Sequence, residues 1–68
     1  MIELTKEYIE KFQSIIAERD DEKAKEELRG LYPADIAELY KELDLDEAIY
    51  LYLLMDDEKA ADVLMELD

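Results

Sequence analysis

The stretch LYPADIAELYKELD, residues 31–44, is written again with changes as MDDEKAADVLMELD at residues 55–68. At an offset of 24 the copies agree at Ala37/Ala61, Glu42/Glu66, Leu43/Leu67 and Asp44/Asp68. Apolar residues match at Leu31/Met55, Ile36/Ala60, Leu39/Val63 and Tyr40/Leu64, and an acid matches at Glu38/Asp62. A helix with the same inward face, recurring at a fixed interval, is the pattern of stacked helix–turn–helix units, and about three such units are normally needed to bury a continuous core. One and a half are visible here. The chain therefore reads as residues 1–68 of one domain, or as the N-terminal part of a longer helical-repeat domain. On the second reading, Asp68 ends the chain at a face that a following helix would cover.

Size narrows the choice. Below about 70–80 residues a core rarely supplies more than roughly 3–5 kcal/mol, and small domains add disulfides, a metal or a neighbour. This chain of 68 residues has no Cys and no His. Disulfides and a thiolate or imidazole zinc site are excluded, which leaves good helix packing or association. Half the residues are hydrophobic, 43% are charged, and Gly and Pro occur once each, a composition that favours helix over strand and over disorder. The start, MIELTKEYIEK, has no apolar segment of the signal-peptide kind. The longest apolar run, Ala48 to Met55, is far short of the ~20 residues of a membrane span. The segment itself is expected to be soluble and not to insert into a membrane.

Five helices are expected. The first covers about 3–18, beginning at Glu3 or Thr5, with Leu4, Tyr8, Ile9, Phe12, Ile15 and Ile16 on one stripe. Asp20 suits the N-cap of a second at about 21–29, where Gly30 would close the helix with a positive φ. Pro33 opens a third at about 33–43, with Asp35 in its first turn and Ile36, Leu39, Tyr40 and Leu43 inward. Asp44 and Glu47 have capping-box spacing for a fourth at about 45–55. Its body, AIYLYLLM, is apolar nearly all round and is expected to be covered on more than one side. The fifth, about 57–67, repeats the inward face with Ala60, Val63, Leu64 and Leu67. The fold class is thus all-α, a short stack of helices whose hand the residues leave open.

Charge limits the partners. The net charge is −13; residues 1–32 carry nine acids and six bases, and residues 33–68 carry twelve acids against Lys41 and Lys59 alone. Such a surface repels nucleic acid and anionic lipid and favours cations or a basic partner, if it does more than keep the chain solvated. No nucleophile–base pair or Gly-rich phosphate loop is present, and the chain is expected not to be an enzyme.

The phrases LRGLYPADIAELYKELDLDEA and DDEKAADVLMELD, over roughly residues 24–68, resemble the intracellular N-terminal domain of the MgtE magnesium transporters. A related superhelix, in the N-terminal region of the flagellar motor switch protein FliG, is the nearest competitor. The resemblance implies a fragment, similar to the first half of that domain, on the cytosolic side of the cell membrane. Its partners would be the CBS domains and transmembrane domain of the same transporter, which forms a homodimer. It also implies a regulatory role, with Mg²⁺ held between this domain and the CBS domains when the pore is closed. One metal position carries over: the acid of the KAAEVL-like motif, which here is Asp62 within Lys59–Leu64. Asp in place of Glu shortens the arm by one methylene and favours contact through water. Tyr32 stands where the family usually has His before Pro.

Glu58 and Glu66 join Asp62 as candidate Mg²⁺ ligands, because the three recur at i, i+4 and i+8 on one side of the fifth helix. Like charges at this spacing cost roughly 0.2–0.5 kcal/mol per pair, which a hard cation would relieve. The bland alternative is a solvated face partly relieved by Lys59. Asp35, Glu38 and Glu42 form a similar line, read as plain surface with Lys41 beside Glu38. Tyr8 and Tyr40 are read as core residues whose hydroxyls reach the edge, while Tyr50 and Tyr52 cannot both face one core. The rival function is a metal-independent helical-repeat adaptor, FliG-like or free-standing, that docks a basic partner.

Overall fold

The computed structural model describes residues 4–67, and all five of its elements are α-helices. They are α1 (Lys6–Glu18), α2 (Asp21–Arg29), α3 (Pro33–Tyr40), α4 (Leu45–Leu54) and α5 (Asp57–Glu66). The alternative start at Glu3 and the repeat match at Asp68 lie outside the described residues.

Local chemistry sets most boundaries. The Thr5 hydroxyl accepts from the Tyr8 amide at 3.1 Å, Asp20 from the Lys23 amide at 3.2 Å and Asp56 from the Lys59 amide at 2.8 Å, so three helices begin on side-chain N-caps. In α4 the Asp44 amide donates to the Glu47 carboxylate at 2.9 Å, within the expected capping box of Asp44 and Glu47. α3 ends at Tyr40 rather than near residue 43. The amides of Lys41, Glu42 and Leu43 bond back three residues, to Glu38, Leu39 and Tyr40, so the last turn tightens into the 3₁₀ pattern that commonly finishes a helix.

The residue with left-handed backbone is not the glycine. Gly30 has φ −87°, an ordinary right-handed value, while Arg19 after α1 takes φ 54°. The Asp20 amide bonds to the Ile15 carbonyl and the Arg19 amide to that of Ile16, the paired bonds of a Schellman closure. The Arg19 guanidinium adds a 3.2 Å bond to the Ile16 carbonyl and lies 4.9 Å from the Tyr50 ring centroid. An L-residue in this region costs roughly 1–2 kcal/mol, which these interactions offset in part.

One core joins the helices. Phe12, Ile36, Leu39, Leu51 and Val63, from α1, α3, α4 and α5, are fully buried, and Ala24 and Leu28 bring in α2. The repeated helices α3 and α5 pack on each other, whereas α1, α2 and α4 pack among themselves. Equivalent helices of successive units thus stack directly, as the offset of the two phrases implies. The radius of gyration, 10.8 Å, is that of a compact chain of this length, about 11 Å.

Three packing expectations change. Leu64 is 50% exposed although its counterpart Tyr40 is half-buried, because the outer flank of α5 meets no other element among the described residues. Asp35 is not surface: it is 7% exposed, and its carboxylate accepts from the Tyr32 amide at 3.2 Å, closing the first turn of α3. The α4 helix is covered on one side only, with Leu51 buried and Leu45, Ile49 and Leu53 facing out.

Candidate functional site

The acids of interest sit on α5 because Asp56 caps that helix and Ala60 and Val63 turn its inner face to the core. Glu58, Asp62 and Glu66 are then left on the outer surface, all exposed. Glu58 and Asp62 border one open hollow between the start of α5 and the start of α3, shared with Tyr32 and Arg29. Glu66, one turn further on, lies outside that hollow. The structure therefore brings two of the three candidate ligands to one place and leaves the third along the same face.

Lys59 forms no ion pair with them. Its ammonium donates to the Leu28 carbonyl at 2.7 Å, across 31 residues of sequence. That carbonyl belongs to the last turn of α2, where a cation also meets the negative end of the helix dipole. The ion pairs among the described residues are Lys11–Glu27 at 3.3 Å and Lys41–Glu38 at 3.1 Å, neither involving α5. The acids of α5 therefore form no ion pair among the described residues, although Arg29 and Lys59 line the same hollow as Glu58 and Asp62 and lend it positive charge at longer range.

No group of three acids among the described residues is gathered closely enough to hold a metal ion. What remains at the hollow is a pair of carboxylates, Glu58 and Asp62. Carboxylate oxygens are the preferred ligands of a hard cation, and Mg²⁺ commonly keeps several waters while using one or two carboxylates. Asp62 and Glu58 are the two that would have to hold it in that way, and Glu66, outside the hollow, would add charge alone.

The tyrosines divide by environment. Tyr8 meets Phe12 edge-on, ring centroids 5.5 Å apart. Tyr50 donates to the Asp21 carboxylate, and desolvation together with that bond pushes its pKa up to about 12. Tyr40 departs from expectation: its hydroxyl does not reach the edge but is buried with no hydrogen-bond partner. Burial first, and the neighbouring Tyr52 second, push its pKa up to about 12. Tyr32 is exposed at the mouth of the hollow beside Asp62.

Sequence reasoning missed two features. One is the bond from Lys59 to α2, for which a lone lysine in an acidic helix gives no signal. The other is the outward row Leu45, Ile49 and Leu53, whose spacing is visible only after Leu51 is known to mark the inner side.

With this geometry in view, residues 31–68 match the family model described as the MgtE intracellular N domain. The match contains α3, α4 and α5, both copies of the repeated phrase and all three candidate acids, but not α1 or α2. Comparison with curated proteins and with solved structures yields no match.

Proposed function

We propose a magnesium-sensing role from a plain premise: the chain belongs to the MgtE intracellular N-domain family. On this reading it is a cytosolic regulatory segment of an MgtE-type magnesium transporter, and it does no chemistry of its own. No helix among the described residues is long and apolar enough to cross a membrane, so transport would belong to other parts of such a protein.

The observation that carries the proposal is the pair Glu58 and Asp62, exposed, beside one hollow that Arg29 and Lys59 also line, and in no ion pair among the described residues. On this reading a CBS domain of the same transporter would meet them with acids of its own, and the two surfaces would repel each other. A bound Mg²⁺ would supply the positive charge that lets the two surfaces approach. Control of this kind is differential: an ion moves the equilibrium only by as much as it favours the closed arrangement over the open one. A change from 1:99 to 99:1 requires about 5.5 kcal/mol of such preference, so several shared sites are needed and Asp62 supplies part of one.

An amide NMR titration of the 68-residue chain with MgCl₂, against NaCl at matched ionic strength, tests this. The expected result is a set of shifts around Glu58–Asp62 that disappears in Asp62→Asn. Equal, diffuse shifts in both salts would assign the acids to general screening and remove the sensing role from this segment.

The rival reading, a metal-independent adaptor for a basic partner, has one specific observation in its favour, the outward apolar row of α4.

A further inference from the structure

The α4 helix presents an unpartnered apolar row. Leu45 is 75% exposed, Ile49 46% and Leu53 74%, while Leu51 is fully buried. At 3.6 residues per turn the three exposed side chains span an arc of about 80° on the side of the helix turned away from Leu51. Their spacing gives one continuous strip rather than scattered surface leucines. Isolated exposed apolar residues need no explanation, but a row along a helix is the form taken by surfaces that receive another helix.

The charge around this row identifies what it would receive. From Glu42 to Glu58 the chain carries seven acids and no base, although in space Lys25, Arg29 and Lys59 line a hollow with Leu54, Met55 and Asp56 at the end of α4. Asp44, Asp46 and Glu47 stand at the start of the row, and Asp56, Asp57 and Glu58 just past its end. Along its length Ile49 borders a hollow shared with Asp46, Asp21 and Tyr50. The one base there, Arg19, is already held over the Tyr50 ring and on the Ile16 carbonyl. An apolar strip rimmed by acids is complementary to a strip of Leu or Ile flanked by Lys or Arg. A second copy of this chain is a poor occupant, since each copy carries a net charge of −13 and would bring acids against acids.

We infer that Leu45, Ile49 and Leu53 form a docking strip for a basic amphipathic helix. The partner's apolar residues would lie along the row, and its cationic residues would reach Asp46 and its neighbours Asp44 and Glu47 at the start of the row. Apolar contact gives the complex its lifetime, while the charges speed encounter and fix orientation. The strip lies on α4 and the candidate metal ligands on α5, so this inference does not depend on the magnesium reading.

The test uses the 68-residue chain without Mg²⁺ and a short labelled synthetic helix of Leu and Lys, with every Leu on one face. A scrambled peptide of identical composition is the control, and binding is followed by fluorescence anisotropy. The amphipathic peptide is expected to bind more tightly than its scrambled isomer. The Ile49→Gln/Leu53→Gln variant should bind it about tenfold more weakly, the usual effect of removing a central apolar contact. Far-UV circular dichroism checks that this variant is folded, and Leu53→Gln alone replaces it otherwise. Equal binding of the two peptides, or unchanged binding by the variant, would reduce the effect to net charge and overturn the inference. So would sedimentation of the parent chain as a dimer that the variant dissociates, because a second copy would then own the strip.

Discussion

The Tyr40 hydroxyl is the one buried side-chain polar atom without a partner among the described residues. A buried group left without a hydrogen bond carries a desolvation penalty of roughly 1–3 kcal/mol, while the Tyr ring still contributes its apolar area. Tyr40→Phe should therefore raise stability, by about 1 kcal/mol, measured as a higher urea midpoint at neutral pH. The same residue sets a pH dependence. In the folded chain the pKa values of Tyr40 and Tyr50 are raised to about 12, from an ordinary 10. A raised tyrosine pKa means that folding favours the neutral phenol. Its contribution is fully present below pH 10 and is lost as pH rises through 10 toward 12. The urea midpoint of the parent chain should fall across that window, and that of Tyr40→Phe should fall less. An equal fall in the two chains would place the effect elsewhere, at Tyr50 or at the lysines.

At the scale of the helices, the caps were legible and the contacts between elements were not. Asp20, Asp44, Asp56 and Pro33 mark starts that depend on nearest neighbours in the chain, and each helix begins where its cap puts it. The end of α1 was not legible, because a left-handed arginine looks like any other arginine and Gly30 offered a false signal for that conformation. The apolar sequence of α4 gave its helical state but not its inner side, which is decided by where α1 and α2 lie. Of the candidate site, the spacing of Glu58, Asp62 and Glu66 was plain from the residues. Their lack of an ion pair was not, since the nearest lysine is drawn to a carbonyl far away in sequence. That bond also fixes α5 at its first turn. Lys59→Met keeps most of the stem but leaves the Leu28 carbonyl to solvent, removing a charge-assisted bond of the kind worth about 1.5–3 kcal/mol. Because the site is only partly buried, the expected loss is toward the lower end, seen as a reduced denaturation midpoint. Leu28 and its neighbours in the last turn of α2 should also exchange their amides faster. A midpoint unchanged from the parent would make the contact incidental to the packing of α5.

For the whole molecule, the boundary of the family match and the boundary of the core do not coincide. The matched segment, residues 31–68, holds the repeat and the candidate acids. Yet among the described residues five of the eleven buried in the core cluster, Phe12, Ile15, Ile16, Ala24 and Leu28, come from α1 and α2, ahead of it. The inner side of α4 rests on those two helices, and the Lys59 bond ends on α2. Cutting the chain at residue 31 would expose Leu51 and part of the α3 face while removing nearly half of the buried apolar cluster. With a core of this size supplying no more than roughly 3–5 kcal/mol, little would remain to offset chain entropy. A peptide of residues 31–68 is therefore expected to be largely unfolded in water, with weak helical circular dichroism and no cooperative melt. The chain of residues 1–68 should melt in one transition. Phe12→Ala makes the same point without truncation. Emptying a fully buried aromatic site costs about 3–5 kcal/mol, comparable to the stability available, and should abolish the transition. A cooperative melt of the 31–68 peptide would show instead that α3, α4 and α5 carry a sufficient core of their own. The first two helices would then be an addition to the family unit rather than part of its foundation.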